Sequence, residues 1–383
     1  MKCKKLSDIC CYRKGKVCVE KLTPTTYVST ENMIPNKGGV TTASTLPRTT
    51  LTQEYKKGDV LISNIRPYFK KIWKAAGDGG CSNDVLVLTA NRNIDEEFLY
   101  YVLADDGFFV YSMATSKGTK MPRGDKTSIM NYRVPDFDKS SQKKIASILR
   151  VLDDKIQLNN EINNNLEQQA QEIFMNMFAE NKTVIPATIA DVALKVTDGV
   201  HNTVHDDPAG EFLLLSCKNI KGGTLSIGSS ERRISFDTFE KLRRRTKLSK
   251  GDVLISSVGT VGELLLLNKE PSNYEFQRSV AMVKPNLDVV SPAYLYEFLL
   301  SQKTKLVNTA HGAVQQCLFI SDIAGFPIMI PQREDLYDFD ATVTPLFDMI
   351  SANEDENQRL AEIRDMLLPK LMSGELDVSD IDL

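Results

Sequence analysis

Lys57-Gly58-Asp59-Val60-Leu61-Ile62-Ser63 returns unchanged as Lys250-Gly251-Asp252-Val253-Leu254-Ile255-Ser256, 193 positions later. Chance does not give seven consecutive identities at that distance, so the chain reads first as a tandem repeat. Weaker echoes keep the same order on both sides. Leu6-Ser7-Asp8-Ile9 answers to Ile189-Ala190-Asp191-Val192, and Tyr27-Val28-Ser29 with Asn32 to Leu214-Leu215-Ser216 with Asn219. Val85-Leu86-Val87-Leu88 matches Val280-Ala281-Met282-Val283, and Phe98-Leu99-Tyr100 matches Tyr294-Leu295-Tyr296. Tyr132-Arg133-Val134-Pro135 corresponds to Ile328-Met329-Ile330-Pro331. The offset drifts between 183 and 196, as expected when loops change length and strands do not. Short β-rich runs at 59–63, 85–88, 211–215, 253–256 and 280–283 are bounded by Gly, Pro, Asn and Ser. One helix in each half is expected at 96–103, after Asp95, and at 293–300, after Ser291-Pro292.

Each half closes on a helix with heptad spacing. From Ile145, alternate steps of four and three reach Leu149, Leu152, Ile156, Asn159, Asn163, Leu166, Ala170, Ile173 and Met177. Shifted by 194, the series reads Leu346, Ile350, Asn353, Asn357, Leu360, Arg364, Leu367 and Leu371. Ser140 or Ser141 is the expected N-cap of the first helix. Thr344-Pro345 is expected to begin the second, Pro369 to kink it and Gly374 to end it. Two asparagines fall at matching core positions in both copies. Asparagine there costs stability but fixes register, because a slipped pairing leaves its amide unsatisfied. The two helices are therefore expected to pack on each other through Leu152, Ile156, Asn159, Asn163 and Leu166 against Leu346, Ile350, Asn353, Asn357 and Leu360. A repeat implies a pseudo-twofold axis, which an antiparallel pair satisfies. The 33 residues from Ile145 to Met177 make about 50 Å of helix, the length of a spacer. The expected fold is α+β: two mixed, β-rich domains joined by two long helices in an antiparallel coiled coil, as a pseudo-twofold internal repeat.

The 383 residues suit two domains; 42% are hydrophobic and 25% charged, with a mean hydropathy of −0.23, as in soluble globular proteins. No apolar run is long enough to span a membrane and the start lacks a signal-peptide core, so a cytoplasmic location is expected. Cys3, Cys10, Cys11 and Cys18 do not have the spacing of zinc ligands; reduced thiols and no metal are expected. The net charge of −3 conceals an uneven distribution. Residues 1–150 hold 25 Lys and Arg against 15 Asp and Glu, and residues 186–335 hold 17 of each. The two helical segments are acidic, with 2 against 6 over 151–185 and 3 against 12 over 336–383. Such a distribution permits nucleic-acid binding by the globular parts without establishing it.

These features together resemble the specificity subunit of type I restriction–modification systems, along essentially the whole chain. The repeated Lys-Gly-Asp-Val-Leu-Ile-Ser, Thr197-Asp198-Gly199-Val200-His201, and Gly312-Ala313-Val314-Gln315-Gln316 with Pro331 carry part of the likeness. Ile145-Ala146-Ser147-Ile148-Leu149, Leu152-Asp153-Asp154-Lys155-Ile156 and Asn159-Asn160 are similar to the family's central helix. Arg364-Asp365-Met366-Leu367-Leu368-Pro369-Lys370-Leu371-Met372-Ser373-Gly374 is similar to its final one. The first half departs from the histidine turn, with Tyr12-Arg13-Lys14-Gly15 in its place. The resemblance implies a target-recognition domain at 1–138, a conserved helix at 139–180, a second recognition domain at 181–335 and a final helix at 336–383. It implies a subunit without catalysis or cofactor of its own, each recognition domain reading half of an interrupted site on double-stranded DNA. The helices would set the spacing and dock two modification subunits carrying S-adenosylmethionine. Restriction subunits would add ATP- and Mg-dependent translocation and cleavage. No membrane partner is implied.

The residues agree by what they lack. Gly259-Thr260-Val261-Gly262-Glu263 has no phosphate-loop lysine. Asn64-Ile65-Arg66-Pro67-Tyr68-Phe69 lacks the paired prolines of an adenine methyltransferase loop, and His201 with His205 lacks a zinc-protease glutamate between them. Asp59 beside Lys56 and Lys57 could mimic a nuclease site, though surface charge pairs are commonplace. DNA contact needs cations for phosphate and forked donors or acceptors for base edges. Candidates in the first half are Arg66, Tyr68, Lys70, Lys71, Lys117, Lys120 and Arg123. In the second they are His201, Asn202, Arg232, Arg233, Arg243, Arg244, Arg245, Lys247, Gln315 and Gln316. The repeated strand itself is expected to be architectural, since one sequence cannot encode two half-sites. Two other readings stay open: a coiled-coil scaffold that never touches DNA, and a self-contained nuclease or methyltransferase.

Overall fold

The duplicated heptapeptide folds the same way twice, through a turn that its own aspartate builds. Gly58 (φ 88°) and Gly251 (φ 90°) take the left-handed backbone that glycine alone adopts freely. Asp59 accepts the Lys56 amide at 2.7 Å and Asp252 the Ser249 amide at 3.0 Å, closing each turn. Both strands that follow, Val60–Ser63 and Val253–Ser256, are buried at every residue, so they lie at the centre of a sheet. This computed structural model describes residues 2–178, 184–228, 231–312 and 316–379.

The chain forms two units, Met1–Gln157 with Asn357–Leu383, and Leu158–Glu356. In the first, an antiparallel sheet has the order Cys10–Tyr12, Val85–Ala90, Val60–Ser63, Ile72–Lys74. In the second, the order is Ala193–Asp198, Val280–Pro285, Val253–Ser256, Leu264–Leu266, which is the same arrangement. Each unit adds a two-stranded ribbon, Cys3–Lys5 with Arg133–Pro135 and Ile185–Thr188 with Pro327–Ile330. Each also pairs two strands in parallel, Tyr27–Val28 with Gly79–Cys81 and Phe212–Leu215 with Tyr274–Phe276. Here the copies diverge. Leu51–Tyr55 extends the first of these sheets from Gly79–Cys81, whereas Arg232–Ile234 extends the second from Phe212–Leu215. The framework is duplicated; the outer sheet is not.

Local signals placed the short helices well. Glu96–Ala104 starts where Asp95 accepts two backbone amides at 3.0 and 3.1 Å, and Pro292–Ser301 where Ser291 accepts one at 3.1 Å. Their apolar faces supply Phe98, Leu99 and Val102 to one core and Tyr294, Leu295 and Leu299 to the other.

The long helices are Lys139–Phe178 and Arg333–Ser373. Two expectations about their ends are corrected. Asp138, not Ser140 or Ser141, caps the first, its carboxylate accepting the Ser141 amide at 2.8 Å. The second begins eleven residues before Thr344, so Pro345 is interior; the burial of Phe339, Val343 and Phe347 around it outweighs the one lost hydrogen bond. Pro369 lies within the helix, which runs on to Ser373 and ends where expected, at Gly374, left-handed at φ 73°.

Within each unit the two helices pair antiparallel. In the first, Ile145, Ala146 and Leu149 share a core with Leu368, Leu371 and Met372, and Arg364 Nη1 donates to Asp153 at 2.7 Å. In the second, Leu166, Ala170 and Phe174 pack with Phe347, Val343 and Phe339. Asn353 Nδ2 donates to Asn163 Oδ1 at 2.7 Å, the expected asparagine pair. Asn159, fully buried, meets Glu356 instead, donating at 2.7 Å. Ile350 is buried and Leu346 packs against the same core; Leu152, Ile156, Asn357 and Leu360 are half-buried.

Candidate nucleic-acid interface

In the first unit, three turns meet at the end of the repeated strand. The chain leaves Ser63, bridges Ile65 to Arg123 and turns through Pro67–Phe69 before Ile72–Lys74. Lys117 and Arg123 exchange backbone hydrogen bonds of 2.9 Å, making a second turn, and the Arg66 amide donates to Pro122 at 2.8 Å. A third turn arrives from far away in sequence: the amides of Asn36 and Lys37 donate to the carbonyls of Phe69 and Lys70 at 2.8 and 2.9 Å. Asn36 (φ 56°), Lys37 (63°), Arg66 (50°) and Lys70 (49°) all sit in the left-handed region. Holding a side chain there costs on the order of 1 kcal/mol per residue.

The seven candidates of this half are thus neighbours, but their side chains differ in availability. Arg66 and Lys120 are exposed, with no side-chain hydrogen bond or ion pair among the described residues. Tyr68 is half exposed, its ring 4.6 Å from that of Phe69. Lys70 is held by Asp106 at 2.7 Å, and Lys37 reaches the same carboxylate at 3.1 Å. Partial burial would raise the Asp106 carboxyl, but the two lysines hold it below its ordinary range. Lys71 donates to the Thr30 carbonyl at 2.6 Å and lies over the Phe69 ring. Lys117 pairs with Asp125 at 2.5 Å, which, with the Ser128 amide, draws that carboxyl down to about 2. Arg123 meets Asp84 at 3.2 Å. Sequence reasoning missed Asn36 and Lys37; Asn-Lys-Gly-Gly after Pro35 is a turn signal, but nothing local says where the turn docks.

In the second unit the basic run lies on the helix Phe236–Thr246, capped by Ser235. Arg243 is largely engaged within the fold. Its guanidinium pairs with the fully buried Glu275, donates to the carbonyls of Pro271 at 2.8 Å and Tyr274 at 2.9 Å, and stacks over Phe239. Three of its five N–H donors are thus spent inside the fold. Arg244 faces solvent beside Glu240, and Lys247 ends the helix left-handed and exposed. Arg245 reaches the turn that carried the family likeness, donating to the carbonyls of Asp198, at 2.7 Å, and Gly199. There His201 Nε2 lies 2.6 Å from Asp198, and Asn202 beside it is exposed. Gly199 is needed, since a side chain would run into the carbonyls of Phe276 and Gln277. Arg245, His201 and Asn202 therefore cluster at one turn. Arg232 and Arg233 brace the preceding loop instead, through Asp206 at 2.6 Å and the carbonyls of Val204 and Gly210 at 2.7 and 3.1 Å. Gln316 is exposed beside Cys317, which bridges to His311; Gln315 lies outside the described residues.

The carboxylate of the repeated motif is not a nuclease-like centre. Asp59 is buried, paired with Arg13 and accepting from Thr89 at 2.7 Å; Asp252 is paired with Lys284 at 2.5 Å. These partners consume the oxygens a metal would need. Among the described residues no group of three or more His, Cys, Asp or Glu could hold a metal ion, and no helix is long and apolar enough to cross a membrane.

Residues 1–168 match the family model for the type I restriction modification DNA specificity domain. Over 405 aligned residues the chain is 27% identical to the type I restriction enzyme HindI specificity subunit of Haemophilus influenzae, covering 84% of this chain and 87% of that one. It is 27% identical over 318 residues to the MjaIX specificity subunit of Methanocaldococcus jannaschii, covering 74% and 70%. The crystal structure of a type I restriction–modification S subunit from M. genitalium has the same fold, with a TM-score of 0.55 at 14% identity over 99% of this chain and 96% of that one. Repeat, helices and sequence similarity agree: the chain is similar, in sequence and in fold, to the type I restriction–modification specificity subunits.

Proposed function

We propose that this chain is the sequence-reading, non-catalytic subunit of a type I restriction–modification complex, each unit reading one half of an interrupted site on double-stranded DNA. One observation carries the reading. Two units share a framework down to isolated bridges, Ile65 to Arg123 and Val258 to Cys317, while their exposed loops carry different charges and side chains. A duplicated scaffold with unlike loops suits a bipartite, asymmetric target, because base edges are read by side chains and not by the fold that presents them. The long helices, each contributing to both units, would set the gap between half-sites. Their acidic, partly apolar outer surface, including Val151, Leu158, Met349 and Met366, suits docking of modification subunits, two per chain by the repeat. S-adenosylmethionine, ATP and Mg would belong to partner subunits, and the complex would work in the cytoplasm. Methylation mapping of DNA from cells that carry the chain with its modification subunit tests this. One interrupted motif with two unlike halves is expected; a continuous motif, or none, would sink the reading.

A further inference from the structure

Wherever the first unit bends a side chain into the left-handed region, the second unit has glycine. Ile62 faces Ile72 and Ile255 faces Leu264, so the paired strands bound the turn at both ends, one residue longer in the first unit, and positions correspond when counted from the nearer strand. Arg66 (φ 50°) then stands at the place of Gly259 (81°), and Lys70 (49°) at the place of Gly262 (85°). The distant turn matches too. The Ser29 and Ser216 amides donate to the side chains of Asn32 and Asn219 at 2.6 and 2.9 Å, which donate on to the carbonyls of Thr41 and Ser226 at 2.7 and 2.8 Å. Enclosed by these bonds are Asn36-Lys37 (56°, 63°) in one unit and Gly222-Gly223 (52°, 76°) in the other.

A left-handed backbone position is least strained as glycine, and the second unit has a positive-φ glycine at all four corresponding places. Strain retained where glycine serves equally well points to a use for the side chain. That use is not internal for two of the four. Asn36 and Arg66 are exposed, and their side chains have no hydrogen bond or ion pair among the described residues. Crowding does not account for the glycines opposite Asn36 and Arg66, since nothing lies within 4 Å of where a side chain would begin at Gly222 and only Cys217 Sγ, at 3.4 Å, at Gly259; at Gly262, opposite Lys70, a side chain would run into Val307. Lys37 and Lys70, by contrast, share Asp106 and fix the two turns to one another.

We propose that Asn36 and Arg66 read base edges in the first half-site, with Lys37 and Lys70 as positioning residues; this rests on the DNA-recognition reading above. A carboxamide and a guanidinium are the side chains that bond adenine and guanine in a bidentate way in the major groove. Strained backbone aims both from turns that are locked together. The test uses the full chain with its modification subunit, comparing wild type with Asn36→Gly, Arg66→Gly and Arg66→Lys. For the glycine variants the melting temperature stays level or rises, because strain is relieved. Their methylation maps lose definition at one or two base pairs of one half-site, and the other half is unchanged. On a duplex carrying the mapped motif, discrimination at those positions falls roughly tenfold. Arg66→Lys keeps the charge but not the fork, so it relaxes the same position with little loss of overall affinity. An intact motif in both glycine variants overturns the proposal, as does a lower melting temperature with the motif kept. A wild-type chain that yields no motif overturns the functional reading itself, a separate result.

Discussion

Arg243, Arg244 and Arg245 are chemically alike and adjacent, yet one is half-buried and paired with a buried glutamate, one faces water and one ties down a turn. The helix rotates about 100° per residue, so neighbours cannot share an environment. Arg243 was legible in hindsight: it follows Phe239 by four residues and Leu242 by one, on the apolar side. Arg245 was not, because its partner is the backbone of a turn 46 residues upstream. A second residue-scale consequence concerns Glu297, 1% exposed in the core of the second unit. Burial, with the nearby Glu167 charge adding to it, pushes its carboxyl from 4.5 up to about 8. A folded-state value above the unfolded one gives stability that is full below about pH 4.5 and declines as pH rises toward 8. Glu297→Gln should flatten that decline and raise stability most at pH 8, by as much as a few kcal/mol. Urea unfolding at pH 5 and pH 8 measures it; equal pH slopes for variant and wild type would contradict the assignment.

At the scale of elements, the heptad pattern gave the partner face of each long helix but not its ends. The repeating apolar positions are a local property of sequence, whereas the second helix starts at Arg333 because tertiary burial carries it past Pro345. The asparagines combine both influences. Asn163 and Asn353 meet as their heptad positions require, but Asn159 finds Glu356, which lies off the apolar series. Asn163→Leu should cost about 1 kcal/mol, because the half-buried Asn353 amide loses its acceptor. Adding Asn353→Leu should recover most of that loss, while weakening the preference for a single register. Thermal denaturation of the single and double variants decides this, and additive losses would mean that the pair does not interact.

For the whole molecule, the two units having one framework and different outer strands leads to predictions about DNA. Phosphate contacts by Lys and Arg release counterions, so affinity for a mapped site should fall steeply between 50 and 200 mM salt, by roughly a thousandfold if about six phosphates are met. Binding that ignores salt would exclude the exposed cations as contacts. Inserting one heptad into Lys139–Phe178 adds about 10.5 Å of helix. If the helices set the gap, the preferred spacer should change by about three base pairs at roughly 3.4 Å per step. An unchanged spacer in the methylation map would remove that role. The repeat, the central strands, the two short capped helices and the antiparallel pairing were all legible in the sequence. They depend on identity at a fixed offset, on periodicity and on caps, each confined to a few neighbouring residues. What only the tertiary structure decided was which cations are spent inside the fold and which turns meet. Arg243 and Lys70 look as free as Arg66 in one dimension, and Asn36 looks unrelated to any of them. Their fates are set by partners 30 or more residues away, brought close by strand register, and no local pattern encodes that proximity.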